Sequence, residues 1–237
     1  MLLILALIAC YLLGAIPFSY LVARRVKGLD LTRHGSGNLG ATNVFRTLGP
    51  LWGVLVLVLD MAKGAAAVAL MTAVTARWPA GQPTPLHLPP DVWRILAGFV
   101  AALGHTLSPF VGFRGGKGVA TTAGAFFFLA PYPMLVALVV FTVVVGTTRI
   151  VSLASLSAAS ILPLAVFWFE WNSADCSWTI IAFTTVISAW VIVKHRANIR
   201  RLLENREAPL SAGNGDTPPP GGEAEGSPGT AGEEETP

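Results

Sequence analysis

Long apolar stretches separated by short polar segments make up most of the chain. A helix needs about 20 predominantly apolar residues to cross a bilayer. Five stretches clearly meet this requirement: 1–23, 51–75, 93–111, 151–169 and 178–194. The pattern therefore predicts an all-α integral membrane protein.

One further apolar stretch, 119–147, is too long for a single crossing and is interrupted by Pro131 and Pro133. Because proline removes a helical hydrogen-bond donor, we expect two short helices here, 119–130 and 133–147. The prediction is thus seven transmembrane helices, two of them short. A count of five, with this stretch as one broken helix or a re-entrant element, is the alternative.

Lysine and arginine concentrate in the loops that follow the first, third, fifth and seventh predicted helices. The intervening loops, 76–92 and 170–177, carry one basic residue between them, Arg77. Basic loops lie in the cytoplasm, so we expect the N-terminus outside and the C-terminus inside. A mean hydropathy of +0.62 excludes an ordinary soluble domain, and the clustering of charge gives no reason to expect nucleic-acid binding.

The last 29 residues, 209–237, are rich in proline, glycine and glutamate and contain almost no residue able to form a core. Ordering such a segment costs backbone entropy that no burial offsets. We predict a membrane domain over 1–208 and a disordered acidic tail without a chemical role over 209–237.

A polar segment, HGSGNLGATNVFR at 34–46, has glycines spaced as in a dinucleotide-binding loop. That loop would follow a buried strand, whereas this segment lies between basic interfacial sequence and a membrane helix. Small residues let backbone amides approach a ligand, and arginine contacts phosphate through paired donors. We interpret the segment as an anion site, with a helix-capping turn as the alternative. Its candidate binding residues are Ser36, Gly37, Asn38, Thr42, Asn43 and Arg46.

A second polar segment, RGGKG at 114–118, precedes the helix expected from Val119. It is not a Walker A loop, because glycine follows the lysine where serine or threonine would be required. Free N–H groups at a helix N-terminus stabilise phosphate, so this cationic glycine loop is a second anion site. A plain glycine-rich turn and a structural histidine are the alternatives. The candidates are His105, Gly115, Gly116, Lys117 and Gly118.

The third polar segment, KHRANIRRLL at 194–203, places His195 and Asn198 on one helical face. A basic amphipathic helix lying on lipid headgroups would explain its arginines but not these two residues. Within the second predicted span, Asp60 and Lys63 are one turn apart and should pair inside the helix bundle. All three segments fall on the cytoplasmic face, which predicts one active-site pocket for a phosphorylated substrate.

These three segments are similar, in the same order, to the cytoplasmic motifs of the bacterial membrane glycerol-3-phosphate acyltransferases that use acyl phosphate, the PlsY family. The resemblance implies a multi-pass enzyme of the bacterial cytoplasmic membrane. It would transfer an acyl group from acyl phosphate to the 1-hydroxyl of sn-glycerol 3-phosphate, giving lysophosphatidic acid and phosphate. Its partners would be these substrates and the bilayer, and it would need neither cofactor nor metal. Nothing in the sequence indicates an oligomeric state.

By this resemblance, Ser36 and Arg46 would contact phosphorylated substrate, and the glycine loop would bind glycerol 3-phosphate. The residues implied as catalytic are His195, Asn198, Ser36 and Lys117. Glu207 matches an acidic residue of the family, and Asn205 replaces an expected glycine in a left-handed turn that asparagine tolerates. Proline at 109 stands about one position later than the second motif would place it.

Two groups are candidates to accept the proton of the attacking hydroxyl. One is His195, because imidazole titrates near neutrality, and the other is the phosphate of the donor. Two other classes of protein are alternatives. An organophosphate transporter would show inverted repeats and polar residues across the bilayer, which the sequence lacks. A non-catalytic assembly factor would leave the glycine-lysine loop unexplained.

Overall fold

The computed structural model describes residues 1–78, 84–174 and 176–210, and these residues are helical with no strand among them. The predicted tail lies outside the described residues except for its first two positions, 209 and 210. The α-helices of the described part are α1 (Leu2–Ala15), α2 (Phe18–Lys27), α3 (Ala41–Leu48), α4 (Pro50–Ala76), α5 (Pro90–Thr106), α6 (Val119–Leu129), α7 (Pro131–Thr148), α8 (Val151–Trp171), α9 (Trp178–Lys194) and α10 (Arg196–Leu203).

Five segments are long and apolar enough to cross a membrane: α1 with α2, α4, α5 with the turn after it, α7 and α8. The pair α9 and α10, bent by 60°, makes a sixth candidate. These segments confirm the prediction of an all-helical membrane protein. Helix α6 is short and apolar, with 11 residues, whereas α7 has 18 and is itself a candidate span. The expectation of two short helices is therefore correct for α6 and wrong for α7.

Proline explains where two of the helices break. Pro17 separates α1 from α2, and Pro131 occupies the first position of α7 directly after Ala130, whose backbone is not helical. A proline at the first helical position loses no intrahelical hydrogen bond, so the chain restarts there. The predicted interruption between α6 and α7 is confirmed, with α7 beginning two residues earlier than expected.

Small residues let the helices of the membrane domain approach closely. A side chain at Gly64 of α4 would meet the Thr121 carbonyl oxygen at 2.0 Å, and one at Gly124 of α6 would meet the Met61 carbonyl oxygen at 1.8 Å. In lipid, such close backbone packing is a main source of helix association. The contact fixes the start of α6, and the glycine loop before it, against the middle of α4.

Candidate functional site

Four hydrogen bonds join distant parts of the chain at one end of the helix bundle. Lys117 Nζ donates to Asn198 Oδ1 at 2.5 Å, and Asn198 Nδ2 donates to Glu207 Oε1 at 2.6 Å. Ser152 Oγ donates to the same glutamate oxygen at 2.7 Å. Arg201 Nε donates to the other oxygen, Oε2, at 2.6 Å. The glycine loop, α8, α10 and the segment after α10 therefore meet at a single cluster.

The charges of this cluster are shifted by burial and by its hydrogen bonds. Burial lowers the pKa of Lys117 to about 8, against the attraction of Glu207. Burial alone would raise the pKa of Glu207, but hydrogen bonds from Arg201, Ser152 and Asn198 outweigh it and hold that pKa below its ordinary value. The lysine therefore keeps a positive charge at neutral pH next to an ionised carboxylate that already has its own partners.

His195 lies at the 60° bend between α9 and α10, so the helix expected to run through this segment is interrupted there. Its ring is buried, and Nδ1 lies 2.8 Å from the Val191 carbonyl oxygen. A carbonyl only accepts, so Nδ1 carries the hydrogen and Nε2 is left as an acceptor. Burial, together with the charge of Lys117, lowers the pKa of His195 to about 4, and the ring is neutral at physiological pH.

The glycine loop is held by the end of α5. The Gly116 N–H donates to the His105 carbonyl at 3.1 Å, and the Gly115 N–H donates to the Thr106 carbonyl at 3.1 Å. A side chain at Gly116 would meet His105 Nε2 at 2.2 Å and the Leu39 carbonyl oxygen at 2.7 Å. The first and second polar segments are therefore in direct contact, and only glycine leaves room for it.

The turn of the first segment is built around the side chain of Asn43. Its amide nitrogen donates to the carbonyls of His34 at 3.0 Å and Asn38 at 3.1 Å, and its oxygen accepts the Ser36 N–H at 3.1 Å. Asn43 is buried, whereas Ser36 is exposed and Thr42 is half-buried. Ser36 is therefore exposed on the turn, and the buried side chain of Asn43 holds the backbone of the turn in place.

Arg46 reaches the segment that follows α10. Its Nη2 donates to the Ala208 carbonyl at 2.7 Å and to the Pro209 carbonyl at 3.3 Å. Burial lowers the pKa of this guanidinium, against the attraction of Glu207. Asn205, where the chain leaves α10, has φ of +53°, the left-handed conformation expected of it. These contacts complete one site from all three polar segments.

Three members of the cluster were absent from the predicted binding set: Ser152, Arg201 and Glu207. Only the glutamate had a signal, its match to an acidic family residue, since a single serine in an apolar helix has no distinctive pattern. The assembled groups are cations, small hydroxyls and the N-terminus of α6, whose first N–H groups have no intrahelical partner; such groups suit phosphate. Within the described ranges, no cluster of three His, Cys, Asp or Glu side chains suited to a metal ion is found.

The fold and this site define a multi-pass membrane protein with a buried cluster of cationic, amide and carboxylate groups at one end of its helices. The family model described as "Glycerol-3-phosphate acyltransferase" matches residues 4–205. A glycerol-3-phosphate acyltransferase of Desulforudis audaxviator is 43% identical over 201 residues, covering 85% of this chain and 92% of that protein. One from Thermosynechococcus vestitus is 41% identical over 215 residues, covering 90% and 96%. The chain belongs to the glycerol-3-phosphate acyltransferase family.

Solved structures of the same family share this fold. The glycerol 3-phosphate form of PlsY (YgiH), an integral membrane glycerol 3-phosphate acyltransferase, matches with a TM-score of 0.74 and 36% identity, covering 89% of this chain and 96% of that one. Its lysophosphatidic acid form matches with a TM-score of 0.72 and 35% identity, covering 90% and 97%. The chain is accordingly an integral membrane glycerol-3-phosphate acyltransferase, an enzyme of phospholipid synthesis that forms lysophosphatidic acid.

Proposed function

We propose that this enzyme uses acyl phosphate as its donor and acylates the 1-hydroxyl of sn-glycerol 3-phosphate. The observation that carries the proposal is the group of cations and amides around the Lys117–Asn198 hydrogen bond, which suits two phosphate-bearing substrates. The glycerol 3-phosphate and lysophosphatidic acid forms of PlsY support this choice of acceptor and product. The acyl chain would enter sideways from the bilayer between the membrane helices.

Acyl phosphate is already an activated mixed anhydride, so no acyl-enzyme is needed. The glycerol hydroxyl oxygen forms a bond to the acyl carbonyl carbon, and the bond from that carbon to the phosphate oxygen breaks. Phosphate leaves with the electron pair and takes up the hydroxyl proton. Lys117, Arg46 and the first N–H groups of α6 position the two anions and stabilise the developing negative charge. The N–H groups of Gly115 and Gly116 donate to the end of α5 instead, so these two glycines shape the loop.

In this mechanism His195 does not act as the general base. An efficient base has a pKa near the working pH, whereas the pKa of His195 is about 4. We assign removal of the proton from the attacking 1-hydroxyl to the donor's phosphate. His195 Nε2 accepts a hydrogen bond from the other hydroxyl of glycerol 3-phosphate, which orients the substrate for attack. Asn198 positions Lys117, and the exposed Ser36 contacts substrate phosphate at the rim.

The remaining predicted binding residues divide into two kinds. Gly37, Asn38 and Thr42 are half-buried in the first turn and stay candidates for contact with substrate. Asn43 and His105 have their polar groups directed at other parts of the protein. We propose that these two residues support the loops and do not touch the substrate.

The proposed topology has seven crossings, with the site in the cytoplasm. The hydrogen-bonded cluster brings the starts of α6 and α8 to one face, so α6 and α7 together leave that face and return to it. At 1.5 Å per residue, α7 is about 27 Å long and α6 only about 16 Å. Helix α7 can therefore cross alone, which favours two crossings over a re-entrant element, and the basic loops favour a cytoplasmic site.

Thiol labelling of intact cells tests this topology. In a Cys176→Ala background, Asn172→Cys should react with a membrane-impermeant reagent from outside the cell. Gly112→Cys, in an open position of the loop after α5, should react only after the membrane is permeabilised. Labelling of both cysteines in intact cells would contradict the topology.

The reaction is tested with purified protein in lipid, radiolabelled glycerol 3-phosphate and palmitoyl phosphate, with palmitoyl-CoA as the comparison donor. We expect labelled 1-acylglycerol 3-phosphate from palmitoyl phosphate only, and its loss in Lys117→Ala. Product from palmitoyl-CoA would overturn the donor assignment. Binding of glycerol 3-phosphate without product would favour a transporter.

A further inference from the structure

A buried group of three ionisable side chains lies behind the glycine loop. Asp60 and Lys63 of α4 form an ion pair, with Nζ 2.8 Å from Oδ1, and each side chain is only 2% exposed. His105 Nδ1 lies 3.5 Å from the same Asp60 oxygen. Lys63 Nζ also donates to the carbonyl of Ile16 at 2.8 Å, where α1 ends. Together these contacts connect α4 with α1 and with the end of α5.

His105 extends these contacts to both anion-binding loops. Its carbonyl accepts the Gly116 N–H, and its ring packs against the Gly116 backbone so closely that no side chain could fit there. The opposite side of Gly116 faces the carbonyl of Leu39, in the first polar segment. An unbroken series of contacts therefore runs from Asp60 through His105 to the two loops.

Stability alone is a poor explanation for charges at this depth. Taking two charged groups out of water costs free energy that their attraction often fails to recover, and well-packed apolar residues can replace such a pair without loss. The pair has a second consequence, because the Asp60 oxygen that meets Lys63 also faces the imidazole of His105. Without that carboxylate, the ring would have no charged group to fix its orientation beneath Gly116.

We infer that Asp60 is a positioning residue for glycerol 3-phosphate binding: it orients His105, which holds the glycine loop against the first polar segment. This inference rests on the proposed role of the glycine loop in binding glycerol 3-phosphate. Asp60 does not touch the substrate, and its effect reaches the site through the position of Gly116 and of Lys117 beside it.

The test is a double variant, Asp60→Leu with Lys63→Met, which removes both charges and the oxygen that faces His105, and leaves no unpaired ion. We expect the enzyme to keep its thermal stability and most of its kcat, while KM for glycerol 3-phosphate rises about tenfold, the signature of lost substrate binding. Thr75→Val, at the far end of α4, is the matched control and should leave KM unchanged. A stable double variant with the wild-type KM would overturn the inference.

Variants of His105 keep the inference testable if the double variant does not fold. His105→Ala should raise KM for glycerol 3-phosphate, whereas His105→Asn keeps a donor toward Asp60 and should restore KM to within about threefold. In a His105→Ala background, changing Asp60 and Lys63 should have no further effect on KM, because their effect passes through the ring. Additive effects, or a wild-type KM in His105→Ala, would overturn it. If the wild-type enzyme itself forms no product from acyl phosphate, the proposed function fails instead.

Discussion

Lys117 and Asn198, 81 residues apart in the sequence, are joined by a hydrogen bond of 2.5 Å at the centre of the site. The other end of the Asn198 amide donates to Glu207, so the amide stands between the ammonium and the carboxylate. The lysine is therefore held in place by a neutral group, and its charge is left for an anionic substrate. An aspartate at this position would instead neutralise that charge.

The activity of the free enzyme should fall as pH rises through about 8. Burial lowers the pKa of Lys117 from its model-compound value of 10.5 to about 8, so the cation is complete below this pH and lost above it. The quantity that reports free-enzyme ionisation is kcat/KM for glycerol 3-phosphate, measured from about pH 6.5 to 9.5 in proteoliposomes. Bound phosphate favours the ammonium, so kcat should begin to fall at a higher pH.

Lys117→Arg is the control for this pH dependence. Guanidinium stays protonated across the whole range, so the variant should lose the alkaline fall even though its overall activity is reduced. Its geometry differs from that of an ammonium, which accounts for the reduction. A fall near pH 8 that persists in Lys117→Arg would assign the titration to another group.

His195 should influence the rate without setting its pH dependence. Its pKa of about 4 keeps the ring neutral from pH 5 upward, whereas a phosphate monoester titrates near pH 6. His195→Asn preserves a donor toward the Val191 carbonyl but has no basic nitrogen. We expect a lower kcat in this variant, with an acid limb of unchanged shape between about pH 5 and 7. If the fall of activity between about pH 7 and 5 disappeared in His195→Asn, His195 would be the general base.

Two glycines near the site should respond very differently to a methyl group. At Gly116, a side chain would meet His105 Nε2 at 2.2 Å and Leu39 O at 2.7 Å, so the loop must move. A displacement of about 1 Å at a catalytic site can cost about 10²-fold in rate, and we expect a loss of this order in Gly116→Ala. Gly112 has φ of +62° with open space around it. Gly112→Ala therefore meets only the backbone strain of about 1 kcal/mol, and its kcat/KM should change little. Equal losses in both variants would contradict the steric explanation.

The sequence was sufficient to predict most of the helices and the grouping of the polar segments. Apolar length is a direct consequence of bilayer thickness, and the break before Pro131 follows from the missing N–H of proline. The pairing of Asp60 with Lys63 was also expected and is observed at 2.8 Å. These features depend on local composition or on a spacing of one turn, which the sequence shows directly.

Other features depend on how distant segments meet, and no local pattern reveals them. An asparagine that supports a turn and one that binds a ligand look the same in sequence, so Asn43 appeared to be a binding residue. Ser152 is one hydroxyl in an apolar helix, and only the return of Glu207 gives it a partner. The low pKa of His195 arises from burial of its ring and from the charge of Lys117, 78 positions earlier in the chain.

The boundary of the catalytic chain should lie after Leu210. The residues just before it belong to the site, because Glu207 accepts three hydrogen bonds, Ala208 accepts one from Arg46, and the Leu210 N–H donates to the Arg149 carbonyl at 2.6 Å. Residues 211–237 contain no Leu, Ile, Val, Phe or Trp that could add to a core.

A chain ending at 210 should therefore keep kcat/KM for glycerol 3-phosphate within about twofold of the full-length enzyme. A chain ending at 206 should lose at least about tenfold, since Asn198 and Arg201 lose their carboxylate. The full-length variant Glu207→Ala removes the carboxylate but keeps the backbone contacts, so it separates these two contributions. A marked fall of kcat/KM in the chain ending at 210 would show that the acidic tail contributes to catalysis.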